Sequence, residues 1–259
     1  QERHHTMSTN RWDEIEHIIL NNRDELKKAT TAQQIRDIAD KNGIKTTDKS
    51  DFGKYTHKLK MIGVHFYDLV EKEKQARQQH IEEDIKKLEE QAHDADTPTI
   101  HLWTAALEAD NQKGSFAIVD RTGEAVWVNT FHPDDYTRKP GDIGSAEQSV
   151  AEKAVFLARK TQDETGDDIL TLIIHTQYPE LDVTDLKKRG LTGGNRITVT
   201  ITVDDDNRAL YMAQDNVTRN WKTYPLTTLT LGFDLKTSDR LKNSVFLWCV
   251  YIAPNRTVY

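Results

Sequence analysis

The sequence predicts an α/β fold for its larger part, preceded by an all-α helical region, and three observations lead to this prediction. Up to about residue 96, apolar residues recur every three or four positions between charged runs, a spacing typical of amphipathic helices. The pattern ends at residues 94 to 98, Asp-Ala-Asp-Thr-Pro, because proline disfavours helix in the preceding residue and lacks an amide donor. Beyond it, short apolar runs and turn residues alternate with helical segments, as in a sheet covered by helices.

Composition and charge limit the possible classes of protein. The chain has 259 residues, of which 30% are charged and 36% hydrophobic, and its net charge is -7. These values fit two folded domains and argue against a protein that coats nucleic acid along its whole surface, although they allow a local basic groove. The single cysteine, Cys249, excludes a disulfide framework. The apolar run Val245 to Ala253 is too short to span a bilayer, and no signal peptide is recognisable. We therefore expect a cytoplasmic protein with no membrane association.

Residues 8–67 are predicted to form a helical domain. A first helix ends near Lys28, a second covers residues 31–40 and is stopped by Gly43, and a third begins near Asp51. The last two resemble a helix-turn-helix unit, in which Lys54, His57, Lys58 and Lys60 would face a phosphate backbone. The connection from residue 43 to 50 is long for that motif, so a plain helical bundle or a protein-docking domain is the alternative.

Residues 68–96 are predicted to form a long charged connecting helix. Glutamate and lysine residues are spaced for ion pairs between successive turns. A sparse apolar stripe, Ile81, Ile85, Leu88 and Ala92, would suit packing on another helix. The region therefore reads either as a solvated connector or as a contact for a homodimer or a protein partner.

Residues 97–259 are predicted to form the α/β domain with a C-terminal extension. We expect strands at residues 100–107, 115–120 and 125–131, the last two as a hairpin, then a helix over 146–161 that Gly166 ends. The apolar run 169–174 reads as a central strand, and residues 197–203 alternate as a further strand. In the extension, residues 226–231 read as a strand and residues 245–253 as a strand or a buried helix.

Several short motifs in residues 98–220 resemble those of the ribonuclease H superfamily. Gly-Ser-Phe-Ala-Ile at residues 114–118, followed by Gly123, is similar to the family's second strand and turn. Ser-Val-Ala-Glu at 149–152 resembles the helix that carries a metal-binding glutamate, and His-Thr-Gln-Tyr at 175–178 resembles the Asp-Ser-Gln-Tyr that ends the fourth strand. Lys-Lys-Arg-Gly at 187–190 falls where relatives hold a hybrid substrate. The resemblance implies a mixed five-stranded sheet with flanking helices.

The same resemblance implies a site for Mg²⁺ or Mn²⁺, at which two cations bridged by carboxylates hydrolyse a phosphodiester. Glu152, His175 and Asp215 are then the candidate catalytic residues, and they would bind metal together with Asp110. The set departs from the family, because the first aspartate position falls among residues 104–106, which carry no carboxylate, and His175 replaces an aspartate. A neutral imidazole suits zinc or manganese better than magnesium. Glu152 also reads as a solvated helix residue, and His175 as a hydrogen-bonded core histidine.

Two charged segments complete the candidate site. Lys187, Lys188, Arg189 and Arg196 flank Gly193 and Gly194 in a basic loop, which would either clamp phosphates or be solvated. Residues 204–206 are three successive aspartates, and we favour helix capping over cation binding for them.

Three functions follow as hypotheses from different classes. The leading one is a protein that binds nucleic acid, an RNA/DNA hybrid or DNA, or acts as a scaffold, through a ribonuclease H-like domain whose two-metal site is partly lost. The second is an active metal-dependent nuclease with substituted ligands, either Glu108 or Asp110 together with Glu152, His175 and Asp215. It requires those side chains to converge within metal-bridging distance. The third is a protein-interaction module with no role in nucleic acid binding.

Overall fold

The computed structural model of the chain describes residues 10–94, 97–108, 113–206, 208–215 and 217–231. The chain forms two compact units, Gln1–Glu83 and Asp84–Tyr259. A helical region followed by helices around a five-stranded mixed sheet confirms the predicted fold class.

The smaller unit is built from helices around an apolar core. These are α1 (Arg11–Asn21), α2 (Arg23–Lys28), α3 (Ala32–Lys41), α4 (Lys49–Leu59) and the first part of α5 (Phe66–Asp94). Thr31 caps α3, since its hydroxyl accepts the Gln34 N–H while the Gln34 side chain accepts the Thr31 N–H. The predicted single helix to Lys28 is interrupted at Asn22. The Asn22 side-chain amide donates to the Ile18 carbonyl over 2.8 Å and so competes with the helical backbone bonds.

The predicted long helix is confirmed as α5, which has 29 residues. Its last turns belong to the larger unit, where Leu88 is buried and, with Ile85, lines a small cavity beside Leu191 and Val199. We expected the apolar stripe of α5 to pack on another helix, and part of it instead packs within the larger unit of the same chain.

The larger unit is organised around one mixed sheet. Its strands are β1 (Thr99–Leu107), β2 (Ser115–Val119), β3 (Ala125–Thr130), β4 (Leu170–Thr176) and β5 (Ile197–Val203), in the spatial order β3-β2-β1-β4-β5. The pairs β1/β2 and β2/β3 are antiparallel, and β1/β4 and β4/β5 are parallel. Strand β4 therefore lies inside the sheet, as its apolar run predicts. The hairpin turn closes on Asp120, whose carboxylate accepts the Thr122 and Glu124 N–H groups.

Helices cover the two faces of this sheet unequally. Helices α6 (Ile143–Thr165) and α7 (Val183–Gly190) pack on the face that carries Leu102 and Leu172. Helix α8 (Arg208–Gln214) packs on the other face, against the β1–β3 side, near Ala105 and Ala117. Gly166 ends α6 with a left-handed φ of 74°, the backbone conformation that glycine adopts without strain.

The predicted strand at residues 226–231 is wrong. Leu226–Thr230 instead form a 3-10 helix, which begins after Pro225 and is closed by a 2.7 Å hydrogen bond from the Thr228 hydroxyl to the Pro225 carbonyl. Leu226 and Leu229 pack into the core of the larger unit. The predicted element at residues 245–253, with Cys249, lies outside the described residues. Within the described ranges, no helix combines the length and the apolar character needed to cross a bilayer.

Candidate functional site

The structure places Glu152 and His175 on opposite faces of the sheet. Glu152 belongs to α6, which packs over Leu172 and Ile174 of β4. Side chains alternate between faces along a strand, so His175, next to Ile174, points to the α8 face. There its ring stacks on Trp103 of β1, with centroids 4.1 Å apart and planes 9° from parallel. The two side chains therefore do not converge on one metal ion.

Glu152 is held by neighbours on the surface of α6. Its Oε2 accepts a hydrogen bond from the Thr137 hydroxyl over 2.8 Å, and its Oε1 lies 3.0 Å from the Arg189 guanidinium. Burial raises the pKa of Glu152, while Thr137 and Arg189 act in the opposite direction. These contacts tie the loop before α6 to α7, which is a structural role.

The remaining predicted carboxylates are also apart from this position. Asp215 follows α8 and lines a cleft of about 340 Å³ that Glu108 shares. Glu108 is already bound, because Arg138 donates to both of its oxygens at 2.5 and 2.7 Å and holds its pKa below the usual range. Asp110 lies outside the described residues. Among the residues that the structure describes, no three His, Cys, Asp or Glu side chains are grouped to hold a metal ion.

The carboxylate that does face the sheet is Glu147, which the motif comparison missed. It lies in the second turn of α6 and is 8% exposed. Its Oε1 accepts the Ala106 N–H of β1 over 2.9 Å, whereas its Oε2 is buried and has no hydrogen-bond partner among the described residues. The sequence held a signal for it. Glu147 precedes the inward-facing Val150 and Ala151 by three and four positions, so helical periodicity places it on the same face.

The surroundings of Glu147 favour a proton over a metal ion. Burial raises the pKa of Glu147 to about 7, although the Ala106 N–H lowers it in part. The strand residues on this face, Thr104 and Ala106 of β1 and Thr176 of β4, carry no carboxylate. A magnesium site requires several oxygen ligands, and this position supplies one carboxyl group that is partly protonated at neutral pH.

On the α8 face, His175 belongs to a chain of three hydrogen-bonded side chains, which we call the histidine chain. Its Nδ1 lies 2.9 Å from Asp204 Oδ2, and its Nε2 lies 3.1 Å from Nδ1 of His101. Trp103 covers one face of the His175 ring, and the Arg208 guanidinium lies 4.0 Å from the Trp103 ring centre. Burial lowers the pKa of His101, and Arg121 and His175 add to that effect.

Two of the three aspartates after β5 make hydrogen bonds just before and at the start of α8. Asp204 Oδ1 accepts the Asp206 N–H, and Asp206 accepts the Arg208 N–H over 3.0 Å while also pairing with the Arg208 guanidinium. The predicted capping role is confirmed for Asp206. The additional bond from Asp204 to His175 has no signal in the sequence, because the two residues are 29 positions apart.

The predicted basic residues of the larger unit lie on or beside α7, and most of them have acidic partners. Lys187 lies 2.8 Å from Glu89, and Arg196 lies 2.6 Å from Asp168. Arg189 pairs with Asp185 at 2.6 Å as well as with Glu152, and Lys188 lies on the same helix. The positive charge expected to clamp phosphates is therefore largely balanced within the protein.

Lys54 and Lys58 of the smaller unit are engaged in the same way. Lys54 lies 3.4 Å from Asp51, and Lys58 pairs with Glu16 of α1 and lies 5.9 Å from the Trp12 ring centre. The face of α4 that the helix-turn-helix hypothesis turns toward phosphate is thus directed partly toward α1. A role of these lysines in DNA binding stays a prediction.

Neither the protein-family models nor the curated proteins compared with this sequence match it.

Proposed function

We propose that the larger unit is a ribonuclease H-like domain that binds nucleic acid or acts as a scaffold, without hydrolysing phosphodiesters at a two-metal site. The observation that carries this proposal is the position of Glu147. Its buried side chain faces the end of β1, where its Oε1 accepts the Ala106 N–H, and burial raises its pKa to about 7.

Two-metal hydrolysis needs carboxylates that bridge two cations and so activate water and stabilise the leaving oxygen. In the described residues, Glu152 and His175 lie on opposite sides of the sheet, and Glu108 is neutralised by Arg138. The substituted ligand set of the nuclease hypothesis does not assemble there. This absence favours binding without cleavage.

A protein-interaction module without a nucleic acid ligand is the second candidate, and the distribution of charge favours it. Residues 1–83 contain equal numbers of acidic and basic residues, so the whole net charge of -7 falls on the larger unit. A surface of that sign repels a polyanion at long range. The exposed Tyr67 and the half-buried Ile81 of α5 would offer a contact for a protein partner or for a second copy of the chain.

Binding and cleavage of labelled nucleic acids test the proposal. RNA/DNA hybrid, double-stranded DNA and single strands are incubated with the full chain in Mg²⁺ or Mn²⁺, and anisotropy and gel mobility are recorded. We expect binding without cleavage. Affinity should fall when Lys187 and Arg196 are both replaced by alanine, but not in Lys72→Ala, an exposed control on α5.

The outcomes separate the candidates. Metal-dependent cleavage that is lost in Glu152→Gln would refute the proposal in favour of an active nuclease. An absence of both binding and cleavage would refute the nucleic-acid part and leave the scaffold. Cleavage that survives Glu152→Gln but not Glu147→Gln would show that Glu147 binds metal despite its buried position.

A further inference from the structure

The hydrogen bonds of the histidine chain determine which ring nitrogens carry protons. A carboxylate can only accept, so Nδ1 of His175 carries the proton shared with Asp204 over 2.9 Å. Nε2 of a neutral His175 is then an acceptor, and the 3.1 Å contact requires a proton on Nδ1 of His101. The ring centroids of His101 and His175 are 5.4 Å apart, which exceeds the nitrogen separation by roughly the two ring radii. The nitrogens therefore point head-on at each other and leave room for a proton.

The free end of the histidine chain is Nε2 of His101. It is left unprotonated by this arrangement, makes no hydrogen bond within the described residues, and is not among the fully buried polar atoms. A side-chain carboxylate, an intervening imidazole and an accessible basic nitrogen thus follow one another in a line. The carboxylate and first imidazole have the relation by which an Asp–His pair stabilises an imidazolium.

We propose that Asp204, His175 and His101 form a proton relay that makes Nε2 of His101 a base toward a ligand with a hydroxyl or amine proton. The ligand proton is transferred to Nε2 of His101, and the Nδ1 proton of His101 moves to Nε2 of His175. The products are a neutral His101 with its proton on Nε2, a His175 imidazolium beside the Asp204 carboxylate, and the conjugate base of the ligand.

The surroundings favour positive charge on His175 over positive charge on His101. The Asp204 carboxylate and the face of Trp103 both contact His175, and each stabilises a cation. Burial and the charge of Arg121 disfavour a charged His101, and Arg121 would also attract a ligand that has lost its proton. The charged and titratable groups around the chain are Arg121 between β2 and β3, Asp204, Asp205 and Asp206 after β5, and Arg208 of α8.

Nitrogen-15 NMR of the imidazole rings in the full chain tests the tautomers. At pH 8 we expect both His101 and His175 to carry their proton on Nδ1. A His101 that carries its proton on Nε2 at pH 8 would overturn the relay.

Acylation by diethyl pyrocarbonate tests whether the relay raises basicity, because the reagent attacks the unprotonated nitrogen. Mass spectrometry gives the rate at His101, with the exposed His132 of the same protein as reference. We expect Asp204→Asn to lower the His101 rate about tenfold, because the carboxylate no longer supports the relay. The neighbouring change Asp205→Asn should leave it unaltered. Equal rates in Asp204→Asn and the unmodified protein, with His132 also unchanged, would refute the relay.

Discussion

The stability of the larger unit should depend on pH through the buried Glu147, and replacing Glu147 by glutamine should remove most of that dependence. Because burial raises the pKa of Glu147 from 4.5 to about 7, the folded state keeps a proton that the unfolded chain has released. The contribution of Glu147 to stability is therefore fully present below pH 4.5 and is lost as the pH rises through about 7. Between pH 5 and pH 8 this loss amounts to about 2.5 kcal/mol of unfolding free energy.

Urea unfolding at both pH values measures the effect. Four of the five tryptophans lie beyond residue 83, so fluorescence reports mainly on the larger unit. The glutamine oxygen can still accept the Ala106 N–H, while its amide takes the unpartnered position at a cost of about 1–3 kcal/mol at every pH. We thus expect Glu147→Gln to be less stable at pH 5 but less sensitive to pH. The exposed Glu164→Gln on the same helix serves as control, and equal pH dependence in all three proteins would refute the argument.

Five further substitutions test the packing, the backbone and a helix cap. Replacing Leu172, which is fully buried in the sheet, by alanine should lower the free energy of unfolding by about 3 kcal/mol. Replacing the half-exposed Leu20 by alanine should lower it by less than about 1 kcal/mol. Similar losses at both positions would contradict the assigned core. Gly166→Ala should destabilise the larger unit by about 1 kcal/mol, since φ is 74° at this position. Gly53→Ala lies inside α4, where an added methyl group meets nothing within 4 Å, and it should stabilise the smaller unit by up to about 1 kcal/mol. Both effects are measured by thermal and urea unfolding, and the same sign at both glycines would refute this reading. Thr31→Ala should destabilise the smaller unit by about 1 kcal/mol through loss of the cap, and no change in its helical circular dichroism melting curve would contradict that role.

Local patterns in the sequence predict most of the architecture. The apolar run of β4, the hairpin turn at Gly123 and the stop at Gly166 are each encoded by residues near one another in the chain. The periodicity of the sequence also predicts which face of the sheet or helix a side chain lies on. The alternation along β4 separates His175 from the inner face, and the spacing from Val150 places Glu147 on that face. The motifs alone group His175 with Glu152 and pass over Glu147.

The rest of the candidate site depends on contacts between distant residues. His101 and His175 are 74 positions apart, and Glu147 and Ala106 are 41 apart. Such pairs arise only when strands adopt a particular register, which no local pattern specifies. The 3-10 helix at residues 226–230 shows the same limit, since a short apolar run after a proline is compatible with several backbone conformations.

The pairing of the basic residues with carboxylates has a consequence for ionic strength. A lysine that binds phosphate from a solvated state displaces a counterion, and each such contact adds to the salt dependence of the affinity. Lys187, Arg189 and Arg196 must first leave Glu89, Asp185 and Asp168, so salt weakens the competing internal pairs as well as the contact with phosphate. If the proposed nucleic acid binding uses these residues, its salt dependence should therefore be shallower than the number of basic residues suggests.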